Sequence, residues 1–550
     1  MERGRPAGAL LAAAASAAVF SRVLGYPFLN WDDQDVFLRN EALRAPGLVE
    51  WAFTTRYMEH YQPLSWIAWA AGGPTPAAAH ALNVVLHAAC AACVYLLMWA
   101  GVKASDRADV TGRREIAALI ATLFWALHPL RVEVVAWASA MPYALALLFA
   151  LLATLAWLGG RFWTAIGLFA MSLLARPIAL GLPLVFLALG PAFAKAPARK
   201  PALVGLLLAM AFALAESSAR LTASLAEFGV GPRLTLAATA PFLYLWRTIV
   251  PINLTPLDPL ALTPRTDPLL IVLGVAGIVL ISVAAWRWRR EQPALALSWL
   301  AYLALLAPAM GLVPSGLQAT ADRYTYLAAV PVSFAIAAGI AGLARASIAV
   351  VATAGAAAVA VLAVLTWGQS GYWRDSVTLW TRAVEIDPRN DVALYNLAAA
   401  LDEAGRSDEA LTRYDQVLAV VPAHADAQRN RDRLRARTLE AEANRLAGAG
   451  NLEAAVPRYA EAVRLDDRRA HSHAALGMAL TQLGRLGEAR PHLQAALEQG
   501  ITGAPIFNAL AYGLMQSGDR EGARAVLRRA QRAHPKDPDI ARNLALLSQR

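Results

Sequence analysis

The chain has 550 residues, of which 57% are hydrophobic and only 16% are charged. This composition excludes a soluble enzyme of the same length and is typical of a protein with many membrane helices. The net charge is +10 at pH 7, and the first 371 residues hold 25 of the 50 Lys and Arg but only 17 of the 40 Asp and Glu. The excess positive charge therefore belongs to the apolar region, where basic residues set membrane orientation and meet anionic lipid. Membrane lipid is an expected partner, and nucleic acid is not.

Apolar stretches able to cross about 30 Å of hydrocarbon recur through this region. We predict about eleven transmembrane helices, near 7–24, 78–100, 115–128, 135–158, 162–176, 178–191, 202–219, 268–286, 293–313, 326–344 and 347–367. Two further apolar segments, 61–71 and 234–250, lie next to prolines and are predicted to rest in the membrane interface. The first apolar run is interpreted as an uncleaved span, because many other spans follow it.

One set of basic residues in the membrane region falls on a single side of these predicted spans, provided that 234–250 does not cross. They are Arg3, Arg5, 103–114, Arg161, 195–200, 287–290 and Arg345. Basic loops stay in the cytoplasm, so we expect a cytoplasmic N-terminus in the inner (cytoplasmic) membrane. The acidic loops and everything after Gly371 are then predicted to be periplasmic.

The last third of the chain repeats with a period of 34 residues. Gly450, Gly484 and Gly518 mark the period, as do Pro388 and Pro422. A helix–turn–helix unit of this length is typical of the tetratricopeptide repeat (TPR). We therefore predict a TPR α-solenoid over residues 372–550, whose concave face would bind an extended peptide. A purely structural role for these repeats is the alternative.

Two adjacent carboxylates, Asp32 and Asp33, follow the first apolar segment. A carboxylate pair beside a membrane is costly unless it is solvated, paired or functional. Three other polar clusters fall on the same predicted side. They are the run from His60 to Leu64 with His80, Asn83 and His87, the run from His128 to Glu133, and the run from Asp322 to Tyr326. Hydrogen bonding between helices is the alternative explanation for the polar residues inside the spans.

Taken in order, these clusters resemble a known family. The matching motifs are Asp32-Asp33, Tyr61-x-Pro63-Leu64, Asn83-x-x-x-His87, His128-Pro129-x-x-x-Glu133 and Asp322-Arg323-Tyr324-x-Tyr326, followed by the repeat tail. They are similar to those of the TMTC-type transmembrane and TPR O-mannosyltransferases and their bacterial relatives, in the GT-C glycosyltransferase superfamily. Relatives usually carry an Arg/Lys-Asp pair after the position of Trp137, where this chain has Met141-Pro142-Tyr143.

The resemblance implies an all-α, polytopic GT-C-like domain in residues 1–371, followed by the TPR solenoid in 372–550. It implies transfer of a mannose-like sugar, with inversion, from a polyprenyl-phosphate donor to Ser or Thr hydroxyls of a protein or peptide acceptor in the TPR groove. The acceptor hydroxyl needs a general base, and Asp32 or Asp33 is the candidate, with the neighbouring carboxylate raising its pKa or orienting it.

The donor phosphate needs cations, and Arg176 and Arg323 are the candidates. The remaining predicted pocket and support residues are Tyr61, Asn83, His87, His128, Glu133, Tyr324 and Tyr326. No cofactor is indicated with certainty, and a divalent cation is left open, because Asp, Glu and His side chains can bind one.

Two other classes of function remain open at this stage. A non-catalytic, membrane-anchored TPR scaffold would assemble envelope complexes, and Asp32 and Asp33 should then tolerate change to Asn. A lipid-linked glycan ligase or polymerase would use similar donor chemistry, although a peptide-binding groove argues mildly against it.

Overall fold

The structure is a computed structural model that describes residues 4–103, 112–193, 199–227, 230–259, 268–311, 318–343 and 346–548. The chain divides into two compact units, Met1–Ala393 and Leu394–Arg550. Both are built of helices, so the predicted all-α class is confirmed. Arg3, Lys195 and Arg345, which support the predicted orientation, lie outside the described residues.

The helices of the first unit follow one another closely along the chain. They are α1 Gly4–Phe20, α2 Leu48–Thr54, α3 Pro63–Gly72, α4 Pro76–Lys103, α5 Arg113–Ala126, α6 Val132–Ala136, α7 Met141–Leu158, α8 Phe162–Ala175, α9 Leu182–Phe193, α10 Arg199–Glu227, α11 Val230–Ile249, α12 Pro268–Arg287, α13 Pro293–Leu306, α14 Thr325–Gly342, α15 Ile348–Gly371 and α16 Ser376–Ile386. One short antiparallel pair joins β1 (Asp258–Pro259) to β2 (Gln318–Thr320).

Five helical segments among the described residues are long and apolar enough to cross a membrane. They are Ala7–Gly25, Pro76–Val102, Ala138–Leu158, Asp322–Gly342 and Ile348–Gly371. A sixth would be the pair Arg113–Ala126 and Pro129–Ala136, which is bent by 55°. The prediction of several membrane helices is supported, whereas the count of about eleven is not confirmed.

Small residues let the helices of this unit approach closely. Helix α7 packs against α4 and α8 and buries Ala144, Ala146 and Ala153 completely. Gly181 precedes α9, and a Cβ atom there would lie 1.9 Å from the carbonyl oxygen of Ala304 in α13. Close contact without a side chain is the usual packing solution between membrane helices. The contact of Gly181 with Ala304 lies at the end of the turn between α8 and α9, and Arg176 is in this turn.

The second unit contains paired helices that continue the chain from α16. They are α17 Asp391–Glu403, α18 Ser407–Val420, α19 Ala425–Gly448, α20 Leu452–Leu465, α21 Ala470–Gln482, α22 Leu486–Glu498, α23 Ala504–Gln516, α24 Arg520–Ala533 and α25 Pro538–Ser548. The boundary between the units falls within α17, so α16 lies in the first unit although the sequence assigns it to the repeat domain.

The glycines that mark the 34-residue period lie at the turns between paired helices. Gly450, Gly484 and Gly518 have φ values of 80°, 77° and 83°, in the left-handed region that favours glycine. Leu476 and Leu510, which are also one period apart, are both buried in the core of this unit. The repeat predicted from the sequence is therefore present in the helices, their turns and their core.

Candidate functional site

The loop after the first span is held by its second aspartate. Asp33 is fully buried, and its Oδ2 atom accepts a hydrogen bond of 2.9 Å from the Leu29 N–H. Its Oδ1 atom accepts from both the N–H and the hydroxyl of Ser139, in the turn before α7. Both carboxylate oxygens are thus occupied by donors, although burial raises the pKa of Asp33 from 3.8 to about 6. Asp33 therefore supports the loop, and each of its oxygens already accepts a hydrogen bond from the protein.

The first aspartate is in a different environment. The Asp32 carboxylate is half-buried and has no hydrogen-bond partner within the described ranges. Burial raises its pKa, and the positive charges of Arg323 and Arg176 oppose that rise. The structure therefore brings together three predicted site residues, one carboxylate and two cations. A carboxylate that is desolvated but not bonded is suited to accept a proton.

The two arginines differ in how their charge is balanced. Arg323 forms a buried ion pair with Glu133, and its backbone N–H also donates to Glu133 Oε2 at 2.8 Å. The pair fixes the loop before α14 onto α6. Arg176 instead donates to Gln62 Oε1 at 2.9 Å and makes no ion pair with any carboxylate that the structure describes. Arg176 is thus the better candidate to bind an anionic ligand, and Arg323 has a larger structural role than the sequence indicates.

Tyr143 lies between the two arginines. Its ring is 4.6 Å from the Arg176 guanidinium carbon, and its hydroxyl is 3.3 Å from Arg323 Nε. Tyr143 belongs to the Met141-Pro142-Tyr143 stretch that departs from the family pattern. Sequence reasoning noted the departure but assigned the tyrosine no role. A cation over an aromatic face is stabilised without losing its charge, so Tyr143 orients Arg176 and leaves it available.

Tyr324 completes the same cluster. Its ring lies 5.2 Å from the Arg323 guanidinium carbon, and its hydroxyl accepts a hydrogen bond of 2.9 Å from Gln318. The predicted residues Glu133, Arg323 and Tyr324 are therefore in contact, although Glu133 is separated from Arg323 by 190 positions.

Asn83, on α4, holds the end of the short helix α6. Its amide donates to the carbonyl oxygen of Trp137 at 2.8 Å and lies 3.3 and 3.4 Å from those of Val134 and Val135. The last carbonyls of a helix have no partner within the helix, and a buried helix end needs another donor. Asn83 supplies it, which makes it a support residue and not a pocket residue.

His87 and Tyr326 form a second buried contact. His87 Nε2 donates to the Ala126 carbonyl at 2.9 Å, so its Nδ1 atom accepts from the Tyr326 hydroxyl at 2.7 Å. This contact joins α4, α5 and α14. The hydrogen bond between helices, which the sequence left as an alternative, is what the structure shows for this pair.

His128 also has both ring nitrogens engaged. The Leu130 N–H donates to Nδ1 at 3.2 Å, and Nε2 lies 2.9 Å from the Thr248 carbonyl oxygen. His128 thereby caps the turn at the bend between α5 and α6.

Tyr61 is not part of the cluster around Arg176 in the described residues. Its hydroxyl instead donates to the Phe53 carbonyl at 3.3 Å, and its ring contacts Phe212. The next residue, Gln62, accepts the hydrogen bond from Arg176. The motif therefore contacts the site, but through Gln62 and not through the predicted Tyr61.

The sequence did not predict a further contact, in which one arginine pairs with two carboxylates. Arg247, at the end of α11, lies 3.2 Å from Asp258 and 3.5 Å from Asp322. Thr320 donates to the same Asp258 oxygen at 2.7 Å. These contacts join the β1–β2 pair to α11. Arg247, Asp258 and Asp322 lie in separate segments, and no sequence pattern predicts that they meet.

No group of three or more His, Cys, Asp or Glu side chains suited to a metal ion occurs in the part of the chain that the structure describes. The chemistry available at Asp32 and Arg176 is proton acceptance beside an anion-binding cation.

Comparison with known proteins identifies the repeats. Tetratricopeptide-repeat family profiles match residues 379–412, 470–499 and 504–547, so the chain contains TPR repeats, which suit it to bind protein or peptide. No curated protein matches the chain.

Three solved structures, two of them TPR proteins, show how limited the structural likeness is. YrrB, a TPR protein with an unusual peptide-binding site, is 21% identical, over 30% of this chain and 79% of its own, with a TM-score of 0.19. A thermophilic TPR protein of Thermus thermophilus is 25% identical, over 36% and 97%, with a TM-score of 0.17. The pilF protein of Pseudomonas aeruginosa is 14% identical, over 49% and 97%, with a TM-score of 0.21. At these TM-scores the likenesses add nothing to the family match.

Proposed function

We propose that the protein is an integral-membrane GT-C-type glycosyltransferase. It takes a mannose-like sugar from a polyprenyl-phosphate donor and transfers it to Ser or Thr hydroxyls of a protein acceptor outside the cytoplasm. The observation that carries the proposal is the half-buried Asp32 carboxylate, which has no hydrogen-bond partner in the described chain and lies within the fields of Arg176 and Arg323.

The proposed mechanism assigns the base to Asp32. The acceptor hydroxyl attacks C1 of the sugar while its proton passes to the Asp32 carboxylate. The bond from C1 to the phosphate oxygen breaks, and its electrons leave with the lipid phosphate, which gives inversion at C1. Arg176 stabilises the negative charge that develops on that oxygen. The base is not assigned to Asp33, because Leu29 and Ser139 already donate hydrogen bonds to both of its oxygens and these bonds hold the loop.

The TPR repeats are proposed to bind the acceptor polypeptide in the periplasm. The proposed orientation has a cytoplasmic N-terminus and about eleven crossings of the inner membrane, of which the shorter apolar helices Phe162–Ala175, Ile271–Arg287 and Pro293–Ala309 would supply some. Exposed Trp163 and Trp286 support crossings that end near them, because tryptophans beside basic residues are typical of a membrane interface.

The test is a transfer assay with the purified full-length protein in detergent or nanodiscs. Polyprenyl-phosphate mannose and other polyprenyl-phosphate sugars are supplied with periplasmic proteins, and Asp32→Asn is compared with Asp35→Asn. Asp35 is a partly exposed residue paired with exposed Arg39 and serves as the matched control.

We expect transfer by the wild type and by Asp35→Asn, and its loss in Asp32→Asn. Transfer that survives Asp32→Asn would refute the assignment of the base. Absence of transfer with every donor would favour the scaffold, and transfer to a lipid-linked glycan alone would favour the ligase.

A further inference from the structure

The loop that carries Asp32 is bonded to the helix α16. The backbone N–H of Asn30 donates to the Ser376 hydroxyl at 2.9 Å. The side-chain oxygen of Asn30 accepts from the indole N–H of Trp380 at 2.8 Å. One residue of the loop is therefore held twice by one helix, across 350 positions of sequence and within the first unit.

The next residue of the loop is enclosed by aromatic rings. Trp31 stacks on Trp137 with ring centroids 4.2 Å apart, and the Trp380 ring meets it at 5.2 Å and 60°. Trp380 is completely buried. Rings in these geometries attract one another and resist displacement. Trp31 immediately precedes Asp32, so the backbone on that side of the aspartate has little freedom.

Helix α16 and the turn after it also contact the segment between α11 and β1. Arg382 lies 3.4 Å from the side-chain oxygen of Asn253, and Asn390 donates to the Leu257 carbonyl at 3.2 Å. The loops 28–35 and 250–258 are thus joined through α16.

The same helix belongs to the repeats by sequence. The first TPR match begins at residue 379, inside α16, whereas the packing of α16 places it in the first unit, Met1–Ala393. Helix α16 therefore begins the repeats in the sequence and contacts the loop that carries Asp32.

We infer that α16 positions the catalytic loop, with Trp380 and Ser376 as positioning residues for Asp32. The inference rests on the proposed function. The Asp32 carboxylate has no hydrogen bond within the described ranges, whereas the Asp32 carbonyl accepts one from the Val36 N–H at 2.9 Å, so the position of the carboxylate depends on the backbone that carries it. Asp33 fixes the loop on one side through Ser139, and Asn30 fixes it on the other side through α16. A displacement of about 1 Å at a reacting group can cost roughly 100-fold in rate.

The test compares variants that each remove one donor or acceptor. Trp380→Phe keeps an aromatic ring but deletes the N–H that binds Asn30, and Ser376→Ala deletes the hydroxyl. Ser376→Thr restores a hydroxyl at the same position. Trp373→Phe is the matched control, because Trp373 is a buried neighbour whose indole makes no bond to Asn30 in the described chain.

We expect kcat for sugar transfer to fall about tenfold or more in Trp380→Phe and Ser376→Ala, with an unchanged KM for the lipid donor. Ser376→Thr should recover most of the rate, and Trp373→Phe should retain it. Melting temperature is measured in parallel, so that loss of rate in an unfolded variant is recognised.

Hydrogen exchange gives a readout that needs no activity. Amide exchange of the peptide that spans 28–35 should accelerate in Trp380→Phe and Ser376→Ala and not in Trp373→Phe, while exchange in α7 is unchanged. Faster exchange in a protein that transfers no sugar would uphold the positioning and refute the proposed function. Active wild type with unchanged exchange and kcat in both variants would overturn the inference.

Discussion

Asp33 accepts two hydrogen bonds from Ser139, which lies 106 positions further along the chain. This contact ties the loop after α1 to the turn before α7, the helix that contributes Tyr143. It also separates the roles of two adjacent aspartates. One carboxylate holds the loop, and the other has no partner among the described residues and lies beside two arginines.

The first prediction concerns the replacement of Asp33 by Asn. An amide has one oxygen, so its nitrogen must face either the Leu29 N–H or the donors of Ser139. Two buried N–H or O–H donors that face each other leave one donor without an acceptor, which lowers the free energy of unfolding by about 1–3 kcal/mol. We expect the melting temperature of Asp33→Asn in detergent to fall, and that of Asp32→Asn to stay near the wild type. Equal destabilisation by the two changes would contradict the division of roles.

The pKa of Asp33 predicts a pH dependence of stability. Burial raises that pKa from 3.8 to about 6, so between these values the folded protein holds a proton that the unfolded chain has released. The contribution of Asp33 to the free energy of unfolding is therefore largest below pH 4 and is lost as pH rises through about 6, by about 3 kcal/mol at most.

The measurement is the free energy of unfolding of the wild type and of Asp33→Asn across this range. Other groups titrate in both proteins, so the difference between the two curves isolates Asp33. The difference should change between about pH 4 and 6 and be flat above pH 7. A difference that is independent of pH would show that the carboxyl has its ordinary pKa.

A third prediction concerns Arg176→Gln. Arg176 has no carboxylate partner among the described residues, and its cation is proposed to bind the donor phosphate. We expect KM for the lipid donor to rise about tenfold, with a smaller effect on kcat and on melting temperature. Arg161→Gln, at an exposed arginine before α8, is the control. An unchanged KM would remove Arg176 from the donor site.

Arg323→Gln should behave differently, because Arg323 neutralises Glu133. Removing one member of a buried ion pair leaves an uncompensated charge and costs about 3–5 kcal/mol. We therefore expect loss of folded protein in Arg323→Gln and recovery in the double variant Arg323→Gln, Glu133→Gln. The amount of monodisperse protein and the melting temperature report both effects. A stable single variant would show that the pair is not structural.

The last prediction concerns Asn83→Ala. The change removes the donor that the carbonyls at the end of α6 share, and we expect a loss of about 1–3 kcal/mol in stability. Cys93→Ala on the same helix is the control, since Cys93 is a free, half-buried thiol. Thermal unfolding in detergent compares them, and similar melting temperatures would contradict the capping role of Asn83.

The general positions of the site residues could be predicted from the sequence, but their roles could not. Motif order and loop charge placed Asp32, Arg176 and Arg323 on one predicted side of the membrane. They did not indicate that Glu133 neutralises Arg323, or that Tyr143 lies against both arginines. Residue type shows that a group can donate or accept, and only packing decides which partner it meets.

The sequence by itself determined the apolar helices and the 34-residue repeats, because both depend on patterns among residues that are close in sequence. The number of long spans was less certain, since short, proline-bounded apolar runs do not reveal whether they cross. The tertiary structure decided the pairing of Asp33 with Ser139, of Arg323 with Glu133 and of Asn30 with Trp380. Each pairing satisfies a buried polar group with a partner more than 100 positions away, and no local pattern in the chain encodes that choice.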